Sequence, residues 1–220
     1  MEKMNDNANS DGRKALKDKV LYPFYVLSHP LDGFYEIRHR GRGSVVVALV
    51  ILILFSISYT VNKQFAGFYV NGYNPSGINS VLDLQSITIF FFLFCIANWS
   101  ITCLMEGEGR LKDIVTVVGY SMLPMVLTLV PVTLLSRFIA DKEEAFYYLI
   151  KNGAMLYFVI LLLVGIMTIH NFTLGKTCIT LLLTLLAMLM IIFLCLLIYT
   201  LIDQMKMFVN SIYTELLFRT

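Results

Sequence analysis

Charge is scarce in this chain. Only 15% of its 220 residues are charged, against about 25% in an ordinary soluble domain, while 58% are apolar. A soluble fold of this size keeps much of its surface in water and needs polar residues to cover it, so a soluble enzyme is excluded. The four cysteines, Cys95, Cys103, Cys178 and Cys195, lie in apolar runs without a C-x-x-C pair or a histidine at metal spacing. They read as buried free thiols, and neither a metal site nor a redox site is expected. A net charge of +2, with no basic stretch carrying interleaved aromatics, gives no reason to expect nucleic acid as a partner.

Chemistry-bearing patterns are equally thin. Gly107-x-Gly109 lacks the Gly-Lys-Ser/Thr of a phosphate loop, and no cofactor is expected. The cores of the apolar runs hold no ionisable residue, so neither a carboxylate pair for acid–base work nor a proton relay is present. Gly119-Tyr120-Ser121 imitates a nucleophile motif. Ser121 lies deep in its run and His170 at the end of another, so a Ser–His dyad is not expected and Ser121 reads as core packing. No catalytic residue is assigned. The sequons Asn98-Trp99-Ser100 and Asn171-Phe172-Thr173 fall within a span and on the expected cytoplasmic side, so neither is expected to be glycosylated.

What is present is length of apolar sequence. About 20 apolar residues cross a hydrocarbon layer about 30 Å thick. Five runs qualify: Ser44–Val61, Leu84–Met105, Ile114–Ser136, Gly153–Ile169 and Thr177–Ile202. The fourth is short, so helix is expected to extend before it. No cleavable signal pattern and no internal repeat is visible. The expected fold is an all-α membrane protein, a bundle of five transmembrane helices. A cytoplasmic interfacial segment precedes it and an amphipathic C-terminal helix follows it outside. Eight of the 17 Lys and Arg residues precede the first run. The positive-inside rule therefore predicts a cell-membrane protein with a cytoplasmic N-terminus and, after five spans, an outside C-terminus.

The flanking segments divide the rest. Residues 1–13 are polar and expected to be mobile. Residues 14–43 mix aromatic and apolar side chains with basic ones, which suits the headgroup zone. Pro30 is placed to open a helix over Leu31–Arg38, and Arg38-His39-Arg40-Gly41-Arg42 reads as a topology anchor beside anionic lipid. Phe68 to Pro75 carries Asn71-Gly72 between aromatics, a hairpin signal. Asp141 to Glu144 is acidic enough to open a helix. Over 203–220, Met205, Phe208, Val209, Ile212 and Leu216 recur at spacings of three and four. That stripe predicts an amphipathic helix that anchors in lipid or docks on a partner.

Within the spans, Asn98 must find an interhelical hydrogen-bond partner, with Trp99 packed beside it. Pro124 removes a backbone donor and predicts a kink, Gly119 permits close helix approach, and continuity across Pro131 is left open.

Asn98-Trp99, the turn Glu106-Gly107-Glu108-Gly109-x-x-Lys112-Asp113, and Gly119-Tyr120-Ser121-x-x-Pro124 together resemble the signature region of the Yip family. His29-Pro30-x-Asp32-Gly33-Phe34 resembles its membrane-proximal segment. That family is named for eukaryotic membrane proteins that interact with Ypt/Rab GTPases, and this chain is most similar to its bacterial members. The resemblance implies a non-enzymatic accessory or scaffold subunit packed against other integral membrane proteins and membrane lipid. The permease of a bacterial carbohydrate ABC importer is the concrete partner it suggests. A small channel or transporter, motivated by Asn98, Ser121 and the Pro124 kink, is the alternative, followed by a trafficking or lipid-shaping role.

Overall fold

The computed structural model describes residues 19–67, 70, 79–138 and 143–219. Residues 1–13, the 68–75 hairpin apart from Val70, and Asp141 and Lys142 lie outside the described residues. The chain forms α1 (residues 19–28), α2 (Pro30–Arg40), α3 (Val45–Phe65), α4 (Ser80–Leu104), α5 (Leu111–Ser121), α6 (Leu123–Leu135), α7 (Glu144–His170) and α8 (Leu174–Arg219). Five stretches are long and apolar enough to cross a membrane, with α5 and α6 together making the third.

The helix ends follow local chemistry. Asn79 caps α4, its Oδ1 accepting from the amides of Val81 (3.0 Å) and Leu82 (3.3 Å). Helix α7 begins at Glu144, a full nine residues before Gly153, as the short fourth run required. It stops where Asn171 turns left-handed (φ 55°), a conformation Asn tolerates. Pro124 has no N–H to give to the Tyr120 carbonyl, so α5 ends at Ser121 and α6 restarts at Leu123 with the proline in its first turn. Helix α6 then runs on through Pro131.

The third span is the centre of the bundle. Of its most apolar 18 residues 61% are buried, against 6% for the corresponding stretch of the fifth span. Two glycines set its closest approaches. A Cβ on Gly119 would lie 2.6 Å from the Ala48 side chain of α3, and one on Gly165 of α7 would lie 2.4 Å from Val117 of α5. Small residues of this kind let membrane helices pack backbone to backbone.

The stretch over 203–219 continues directly from the fifth span rather than folding back: α8 is one helix of 46 residues, about 69 Å long at about 1.5 Å per residue. Other expectations are corrected by this packing. Of the cysteines only Cys95 is buried, and Cys103, Cys178 and Cys195 are free and exposed on the bundle's outer surface. Trp99 does not pack into the core beside Asn98 but is 42% exposed, since adjacent helical positions point about 100° apart. Of segment 14–43, the described residues 19–43 do not simply lie on lipid, because Tyr22, Val26, Phe34 and Ile37 are buried against the bundle.

Candidate functional site

The signature turn sits at the end of the bundle where α1 and α2 dock. After α4, Glu106 adopts a left-handed φ of 59°, and the Gly107 amide donates back to the Thr102 carbonyl at 2.7 Å. The chain then passes under the imidazole of His170, at the end of α7. The Gly109 amide donates to His170 Nδ1 at 3.1 Å. The ring leaves no room for side chains: a Cβ at Gly107 or Gly109 would come within 2.5 Å of it. On the remaining face Phe172 stacks with ring centroids 5.3 Å apart. The ring is 1% exposed. Acceptance at Nδ1 puts the proton of the neutral ring on Nε2, and that buried nitrogen has no hydrogen-bond partner among the described residues.

Asp113 is the charged focus of the same junction. It is 4% exposed and opens α5 as the acidic half of a capping box, accepting from the Arg110 amide at 3.3 Å. Its carboxylate also meets Arg110 Nε at 3.2 Å and Arg38 of α2 at 3.5 Å. Arg38 reaches Glu108 at 3.7 Å as well. Arg40 and Arg42 both pair with Glu36 at 2.9 Å. The basic run read as a lipid anchor is thus largely ion-paired within the protein. Glu106 and Lys112 of the turn are exposed and face outward.

Helices α1 and α2 are held by more than charge. Phe34 and Ile37 bury their side chains, and Phe34 lies against Gly165 of α7. Gly33 sits flush on Val26, where a Cβ would come within 2.9 Å of backbone. The Tyr22 hydroxyl donates to the Gly33 carbonyl at 2.8 Å and to Glu36 at 3.3 Å. Burial first, and then the neighbouring Glu36 carboxylate, push the Tyr22 phenol well above its ordinary range. Tyr157 of α7 donates to the Leu27 carbonyl, and the Ser44 amide donates to the Tyr120 hydroxyl at 3.0 Å. Beside this junction is a cavity of about 420 Å³, bordered by Tyr35, Arg38, His39, Glu108 and Phe172.

The remaining sequence candidates separate. Asn98 is fully buried and its Nδ2 donates to Thr184 of α8 at 3.1 Å. Thr177, Thr180 and Thr184 form the buried face by which α8 meets α4. Ser121 donates to the Val117 carbonyl at 2.8 Å within its own helix, so its hydroxyl is occupied. Met205, Phe208, Val209 and Ile212 are all exposed, 44% to 69%. The side chain of Leu216 lies outside the described residues.

A family model described as the Yip1 domain matches residues 24–197. The chain belongs to the Yip1 family. No curated protein and no solved structure matches it. The matched region of this Yip1-family chain runs from α1 through most of the membrane-crossing part of α8, and it contains the His170 junction.

Sequence reading missed two clusters. The sequence shows His170 only as the end of an apolar run, and the Gly107-x-Gly109 spacing is the one trace of a ring seated on backbone. At the opposite end of the bundle Asn62, one residue past the expected first span, is 4% exposed. It donates to Thr133 at 2.8 Å and accepts from Tyr147 at 3.1 Å and Lys151 at 3.5 Å. Nearby Ser136 accepts from the Gly67 amide at 2.9 Å. A polar residue at the edge of an apolar run carries no signal of the partners that folding brings to it.

Proposed function

We propose that this Yip1-family protein is a non-enzymatic accessory or scaffold subunit that holds another integral membrane protein through α8. One observation carries the reading. From Phe193 to Glu215 every residue of α8 is exposed, and the helix continues well past the bundle. The third span is 25 residues, about 38 Å, whereas α8 is about 69 Å. Lipid can cover the part that crosses about 30 Å of hydrocarbon. It does not readily cover Met205, Phe208, Val209 and Ile212 on a rod that projects some 30 Å beyond the other helices. A partner helix that receives these anchors at i, i+3, i+4 and i+7 spacing satisfies them. With the cell-membrane orientation proposed from Lys and Arg placement, this arm lies on the outside. The bacterial likeness of the signature turn makes a carbohydrate ABC importer permease the partner to look for first.

Purification from native membranes in mild detergent, with every stoichiometric chain identified, is the test. A co-purifying integral membrane protein is expected, and Phe208→Ala with Ile212→Ala should reduce its yield at least tenfold while leaving insertion intact. Recovery of the bundle alone from native membranes overturns the proposal.

A further inference from the structure

Between α3, α4, the α5–α6 break and α7 lies a second cavity, of about 520 Å³. Phe55, Phe90, Phe94, Met122, Met155 and Phe158 make it overwhelmingly apolar. Its polar groups are gathered at one end. Asp83 and Ser86, in the first two turns of α4, stand at the rim with Tyr59. Lys63, in the last turn of α3, pairs with Asp83 Oδ1 at 2.8 Å. The other carboxylate oxygen, Oδ2, is shielded from solvent and has no hydrogen-bond partner among the described residues. A buried acceptor left unsatisfied is costly, more so when charged.

Length and chemistry fit one kind of occupant. Asp83 sits in the first turn of α4, the end that a membrane-crossing helix brings toward the headgroups, and Phe94 lies eleven residues further along, about 16 Å at about 1.5 Å per residue. That is about half of a hydrocarbon layer of about 30 Å, the depth of one leaflet. Aromatic and methionine side chains adapt to a flexible chain. At the rim, Lys63 and Asp83 form a dipole that a zwitterionic headgroup complements, phosphate toward the ammonium of Lys63 and a hydrogen-bond-donating cation toward Oδ2.

We infer that the cavity is a binding site for a single phospholipid with a primary-ammonium headgroup, of the ethanolamine class, its acyl chain among the aromatics and its ammonium donating to Asp83 Oδ2. A choline headgroup is quaternary and has no N–H to give. A glycerol headgroup has no cation.

The full chain reconstituted into vesicles of equal parts ethanolamine, choline and glycerol phospholipid, then extracted in mild detergent, gives the test by native mass spectrometry. The unaltered protein is expected to retain one ethanolamine lipid over choline lipid by about tenfold, the scale of one hydrogen bond to a charged group. Asp83→Asn should abolish that preference. Ser86→Trp, at an exposed position on the rim, should abolish retention while leaving the thermal unfolding of the bundle unchanged. Equal retention of the three lipids, no retained lipid in the unaltered protein, or a preference that survives Asp83→Asn overturns the inference. Because the headgroup comparison uses the unaltered chain, it stands even if a variant fails to fold.

Discussion

His170 shows what one residue does at the docked end of the bundle. It ties the signature turn to the end of α7 through one hydrogen bond and a ring that rests on two glycines. His170→Ala removes the acceptor and leaves a cavity, so a loss of about 2–4 kcal/mol in unfolding free energy is expected in detergent. Gly119→Ala is a second residue-scale case. Its methyl would lie 2.6 Å from the Ala48 side chain and 2.9 Å from Ala48 backbone, which forces α3 and α5 apart. A loss of about 1–3 kcal/mol is expected. Gly153→Ala is the control: nothing lies within 4 Å of that position, so helix propensity alone acts and a gain of about 0.5–1 kcal/mol should follow. Tyr22 adds a pH dependence. Its pKa is higher in the folded state than its ordinary value of 10.0. Its contribution is therefore fully present below pH 10 and is lost as pH rises through the higher folded-state value. Alkaline unfolding of the unaltered protein should steepen above pH 10, and Tyr22→Phe should flatten that limb.

At the scale of elements, the α1–α2 pair is the part whose attachment depends on specific contacts. Arg38 joins α2 to Asp113 of α5, and Asp113 is almost fully enclosed. Breaking a buried pair by removing one partner costs about 3–5 kcal/mol, whereas an exposed pair such as Arg40–Glu36 is worth about 0–1 kcal/mol. Asp113→Ala should therefore release the 19–43 segment to protease in folded protein, and Arg40→Ala should not. The apolar content of this segment was legible from sequence, as was Pro30 at the start of its helix. Its docked state was not. Phe34 and Ile37 look equally suited to lipid until α7 supplies Gly165, whose missing side chain makes the socket.

For the whole molecule, the asymmetry between a packed third span and a bare fifth dominates. Residues from Phe193 to Glu215 are all exposed, so they add little to the stability of the isolated chain. Truncation after Ile202 should shift unfolding free energy by less than about 0.5 kcal/mol while abolishing partner recovery. The membrane orientation, proposed as N-terminus inside and C-terminus outside, is checked by a reporter fused after Thr220. Activity outside the cytoplasm is expected, and activity inside would reverse the arrangement.

Sequence alone determined the class and the spans, because crossing hydrocarbon is a one-dimensional requirement met by run length and hydropathy. It determined the break at Pro124 for the same reason, since a missing N–H acts within one turn of its own helix. The long reach of α8 was only half legible: the stripe from Met205 was visible, but nothing local marked whether the helix would break at Asp203 or continue through it. Tertiary structure alone decided which polar residues become partners. Asn98 needed Thr184, 86 residues later; Asn62 needed Thr133 and Tyr147; Gly109 needed His170. Such pairs depend on helix rotation and depth, which are set by the packing of small residues across the bundle and leave no pattern along the chain.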